Sequence, residues 1–148
     1  MPGYKGHLLG GLVTYVLIML VFVSIKPSFI TACEWLFFTL AGSLFPDIDV
    51  KSKGQKYFYY VVLLCFVWLM CLGNYQTVSC LSCIAITPML VRHRGIFHKS
   101  WFLVFIVMGT WVFMSALFPA ISQPLFINLL LFLAGALSHL FFDRYLRT

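Results

Sequence analysis

Apolar and polar positions alternate along this chain in long blocks. Six apolar runs, about Leu8 to Ile25, Phe29 to Phe45, Tyr57 to Leu72, Thr77 to Val91, Ser100 to Phe118 and Leu125 to Phe142, are parted by short polar breaks. Their lengths lie near the ~20 residues a helix needs to cross a ~30 Å hydrocarbon core. Pro46 stops the second run, Gly73-Asn74 turns the third into the fourth, and Pro119 closes the fifth. The fourth is short and holds Pro88, so it is tilted, kinked or only partly inserted, and the count of spans is about six, with four to six allowed. The first run follows a charged start like a secretory signal. It is long, however, and no small-x-small cleavage site precedes Lys26-Pro27, so it reads as a retained span. The pattern predicts an all-α polytopic membrane helical bundle, a single integral-membrane domain over residues 1–148.

Composition agrees with the blocks. The chain is 62% hydrophobic and 9% charged, whereas a soluble domain carries about a quarter charged residues. The net charge of +6 is not a nucleic-acid signal, and no nucleic acid is expected, because the basic residues sit beside the apolar runs. Six spans with an inside N-terminus put Lys5, Lys51, Lys53, Lys56, Arg92, Arg94, Lys99, Arg144 and Arg147 on the cytoplasmic side and leave only Lys26 outside. Both termini are therefore expected in the cytoplasm, on a multi-pass protein of the plasma membrane. The same topology carries His7, Asp47, Asp49, His93, His98, His139 and Asp143 to the cytoplasmic ends of the helices, where a metal site is expected.

Those residues carry the candidate chemistry. In Val91 to Trp101, VRHRGIFHKSW, two histidines flank Gly95, and a tight turn there would aim both imidazoles at one point. Two histidines rarely complete a metal site, and the remaining candidates are His7, His139, Glu34, Asp47, Asp49 and Asp143. His139 and Asp143, four apart on a helix, share a face; they are a ligand pair, or His139 is a capping or interfacial histidine, which is what a lone histidine near a helix end more often is. Asp47 and Asp49 point the same way in an extended segment, or form a solvated acidic stop after Pro46. Taken together the donors are a mixed nitrogen and oxygen set that suits a divalent metal, Zn²⁺ first, Mn²⁺ or Fe²⁺ otherwise, with room for one or two ions.

Four short motifs then resemble a known family. Gly6-His7-Leu8-Leu9, Leu44-Phe45-Pro46-Asp47-Ile48-Asp49, His93-Arg94-Gly95-Ile96-Phe97-His98-Lys99-Ser100 and Gly135 to Asp143 are similar, in this order, to the motifs of the YdjM-type inner-membrane metal-dependent hydrolases. The resemblance runs the length of the chain. It implies an all-α fold distantly similar to the zinc-dependent phospholipase C and P1 nuclease group, with His7, Asp47, His93, His98, His139 and Asp143 as the metal set. The chain departs from the pattern at Val50-Lys51, where a His-Pro is usual, and at Phe97, where a Thr is common.

Residues and resemblance both point to metal-assisted hydrolysis, in which a cation acidifies water and a carboxylate takes the proton. Asp49 is the candidate base. Arg94 and Lys99 are candidate phosphate holders, with topology anchoring as their other role. Membrane lipid is the expected partner, and a phosphoester, such as a phospholipid or another amphipathic molecule, the expected substrate. A non-catalytic protein with a structural metal stays open as an alternative. A transporter is disfavoured, since Glu34 alone among the acids falls well inside a run. Cys80-x2-Cys83 lies in an apolar run with no histidine near it and reads as buried thiols, and Cys71 and Cys80 are a candidate outer disulfide.

Overall fold

The computed structural model describes residues 4–48, 53–71, 73 and 96–145. The fourth apolar run, with Pro88, Cys80 and Cys83, lies outside the described residues, as do Asp49, His93 and Arg94. Among the described residues the structure is helical throughout, without strands. The described residues form five α-helices, α1 Tyr4–Val21, α2 Phe29–Leu44, α3 Lys53–Cys71, α4 Ser100–Leu117 and α5 Ser122–Tyr145, with 3₁₀ turns at Val23–Ile25, Phe45–Asp47, Ile96–His98 and Pro119–Ile121. Among the described residues four segments, Tyr4–Val21, Phe29–Asp47, Ser100–Leu117 and Pro119–Tyr145, are long and apolar enough to cross a membrane. Their outward faces carry large apolar side chains such as Leu17, Phe29, Ile30, Phe105 and Phe113, which need lipid rather than water as solvent.

Helix ends follow local chemistry more than apolarity. Helix α1 starts about one turn before its apolar run in spite of Gly6, and this puts His7 in a helix rather than ahead of one. After Val21 a 3₁₀ turn leads to Lys26, whose φ of 44° is left-handed, and Pro27 then bars a return to helix. Ser28 caps α2, its hydroxyl accepting the Thr31 N–H at 3.2 Å. Helix α5 tolerates Pro124 because it lies in the first turn, where N–H groups have no helical partner. Its end at Tyr145, three residues past the apolar run, keeps Asp143 helical.

The chain divides into two compact units, Met1–Pro46 with Phe97–Thr148, and Asp47–Ile96. In the second, the described helix is α3, which begins at Lys53, one turn before the apolar run opens at Tyr57.

The first unit is held by small residues at helix crossings. At Gly42 an added Cβ would run into the Phe132 carbonyl, and at Gly135 into the Thr39 carbonyl, so α2 and α5 meet backbone to backbone. Gly10 leaves a Cβ position only 2.6 Å from the Phe142 ring, and Gly11 one 2.7 Å from Ser43 Oγ, which draws α1 onto both. In lipid, close backbone packing of this kind replaces the hydrophobic drive that water supplies elsewhere. Hydroxyls are satisfied within their own helices: Thr39 donates to the Trp35 carbonyl at 2.7 Å and Ser43 to that of Leu40 at 2.8 Å. Helix α4 lies against α5 and buries Leu103 and Val107. Its far end is pinned where Trp111 Nε1 donates to the Ser122 carbonyl at 3.2 Å.

Candidate metal centre

Three segments of the first unit bring polar side chains to one place. His7 comes from the first turn of α1, His98 from the 3₁₀ turn before α4, and His139 and Asp143 from the last turns of α5. The carboxylate of Asp143 stands at the centre: Oδ1 is 3.6 Å from His7 Nε2, and Oδ2 is 3.6 Å from His98 Nε2 and 3.8 Å from His139 Nε2. Direct hydrogen bonds are shorter than this. Ligand atoms ~2.0–2.2 Å from one tetrahedral ion stand roughly 3.3–3.6 Å apart, so these contacts lie at or just above the spacing of groups that could hold a cation. His7, His139 and Asp143 each bring a ligand atom within 4.8 Å of the others. The donor set is nitrogen and oxygen, as the intermediate divalent metals prefer.

Each of the three histidines is held by a nameable contact. His139 is fully buried, and its Nδ1 lies 2.8 Å from the Ser43 carbonyl. A carbonyl can only accept, so Nδ1 carries the hydrogen and, in the neutral ring, Nε2 presents a lone pair toward Asp143. Ser43 sits in the last turn of α2, where carbonyls lack helical partners and the helix dipole favours a donor, so one contact satisfies the helix end and sets the tautomer. The His7 ring stacks on that of His139, centroids 3.7 Å apart and planes 17° apart. His98 is fixed through its neighbour. Phe97 is buried and meets Phe45 and Phe102 edge to face at 5.6 and 5.5 Å, and Phe45 in turn meets Phe132 at 5.1 Å. Exposure is graded: His7 and His139 are 2% and 0% exposed, His98 and Asp143 13% and 18%.

Four of the six metal-ligand candidates, His7, His98, His139 and Asp143, thus meet in one cluster, and the i, i+4 pair on α5 does share a face. Asp47 ends the Phe45–Asp47 turn and opens the second unit. His93, the candidate base Asp49 and the candidate clamp Arg94 are outside the described residues. Lys99, the N-cap of α4, is exposed beside His98 in sequence. Glu34 is exposed on α2, nine residues before Ser43 and so roughly 13 Å along the axis. What the motifs do not announce is the role of Ser43, which acts through its backbone, and of Gly42 and Gly135, whose signal was only their small size inside apolar runs.

Residues 1–146 match the family described as YdjM inner membrane protein. No curated protein and no solved structure matches the chain.

Proposed function

From the premise that the chain belongs to the YdjM inner membrane protein family, and so is a protein of that membrane, we propose that it is a metal-dependent hydrolase of a phosphoester, such as a phospholipid or another amphipathic molecule. The observation that carries this reading is the convergence of His7, His98 and His139 on the Asp143 carboxylate. A divalent cation held there, zinc before manganese or iron, supplies the Lewis acidity that makes water a competent nucleophile near neutral pH. His139, its tautomer set by Ser43, gives a fixed nitrogen donor, and Asp143 gives charge compensation. The graded exposure supports access from the His98 and Asp143 side, as an open coordination position requires. In this reading Asp47 and His93 complete the ligand set, Asp49 takes the proton from water, and Arg94 and Lys99 hold the phosphate. Six spans with both termini in the cytoplasm put the cluster at headgroup depth on the inner face.

A structural, non-catalytic metal is the second reading, favoured by the burial of His7 and His139. Metal analysis of protein purified gently in detergent, followed by a screen of phosphoesters, separates the two. Stoichiometric metal with turnover abolished by chelator and restored by metal is the expected result, and protein that neither carries nor takes up a transition metal refutes both readings. For the topology, cysteines placed at Lys53 and Arg94 should label from the same side of the membrane, and labelling from opposite sides would overturn it.

A further inference from the structure

The stacking of His7 on His139 limits how the cluster can bind metal. An imidazole nitrogen binds through a lone pair lying in the plane of its ring. With ring centroids 3.7 Å apart and planes 17° apart, an ion shared equally would lie up to about 1.8 Å out of each plane on bonds of about 2.0–2.1 Å, as much as about 60° from the lone-pair direction. An ion placed in the plane of one ring is out of reach of the other ring's lone pair. His139 cannot turn to meet it, because Nδ1 is committed to the Ser43 carbonyl at 2.8 Å. The two rings as they stand therefore serve different ions.

Asp143 supplies the means of joining them. Its Oδ1 faces His7 Nε2 at 3.6 Å, and its Oδ2 faces His98 and His139 Nε2 at 3.6 and 3.8 Å, so the two oxygens are divided between the stacked rings. We infer that the cluster is a two-cation centre bridged by the Asp143 carboxylate, with His7 and Oδ1 on one ion and His98, His139 and Oδ2 on the other. The inference deepens the metal reading above and rests on it. Remaining positions on each ion go to water or further oxygen donors, which suits a phosphoryl substrate, since paired divalent cations clamp the attacking and leaving oxygens of an in-line displacement.

The test needs no substrate. Full-length protein in detergent is stripped with chelator and titrated with Mn²⁺, followed by equilibrium dialysis and electron paramagnetic resonance. Two Mn²⁺ per chain with an exchange-coupled spectrum are expected for the wild type. His7→Ala should keep one ion with an uncoupled six-line signal, and Asp143→Asn should lose the coupling. Because the wild-type spectrum is itself decisive, a variant that fails to fold leaves the inference testable. A single Mn²⁺ per chain overturns the bridged pair while leaving the metal reading intact, whether His7→Ala keeps that ion or loses it. No bound Mn²⁺, with no Zn²⁺ or Fe²⁺ uptake in parallel titrations, removes both.

Discussion

The two ends of the first unit use polar residues in opposite ways. At the end formed by the α1–α2 and α4–α5 turns, polar groups close the helices: Ser28 caps α2, Trp111 donates to the Ser122 carbonyl, and Lys26 takes the left-handed bend before Pro27. Each such contact is local or joins one helix to the next. At the other end His7, His98, His139 and Asp143 come from three separate segments, and His139 reaches Ser43 across 96 residues. Hydrophobic and capping energy account for the Ser28 and Trp111 contacts of the first end. They do not account for three histidine nitrogens facing one carboxylate at 3.6 to 3.8 Å, and the metal reading rests on that difference.

Variants at the two ends should therefore fail differently. The largest effect is expected for Asp49→Asn in the hydrolase reading, where the amide keeps the shape but cannot take a proton. Turnover of a phosphoester should fall about 10²- to 10⁴-fold with most of the metal retained, and unchanged turnover would remove Asp49 from the role of base. Replacing a ligand comes next. His139→Ala should lower metal affinity by at least about 10- to 100-fold, the range already seen for loss of outer-shell partners alone, as read by competition with a chelating dye, whereas Trp111→Phe at the opposite end should leave affinity unchanged. Third are the crossings: Gly42→Ala should cost about 1–3 kcal/mol through overpacking against Phe132. Gly109→Ala meets open space and should be neutral or stabilise α4 by up to about 1 kcal/mol. Thermal unfolding in detergent compares them, and equal behaviour would contradict the close contact of α2 and α5. Smallest is Ser28→Ala, expected to cost about 1 kcal/mol as a lost cap with metal binding intact; a loss of metal there would erase the distinction between the ends.

Much of this architecture was legible in the chain. Apolar runs of near-spanning length foretell the helices, and Pro46 and Pro119 fall close to where α2 and α4 stop. Helix starts were less legible, because Tyr4 to His7 and Lys53 to Lys56 are largely polar and each holds a glycine yet both are helical, and apolarity says nothing of where backbone hydrogen bonding begins. In the cluster, the i, i+4 spacing of His139 and Asp143 translates directly into a shared face, since helix geometry is local. The stacking of His7 on His139 and the carbonyl of Ser43 depend on how α1, α2 and α5 cross. Spacing along one segment carries no record of that. Nor does a side-chain alphabet show a contact made by backbone, which is why Ser43 reads as an ordinary small residue of an apolar helix.

The 96-residue reach of the His139–Ser43 contact also sets a timetable. Synthesis runs from the N-terminus, so His7 and Ser43 enter the membrane long before α5 has left the ribosome. Until Gly135 settles against Thr39, neither the tautomer of His139 nor the carboxylate of Asp143 is available to them. In the metal reading, capture is therefore a closing event of biogenesis, since a nascent chain halted before α5 carries His7 with neither His139 nor Asp143 beside it.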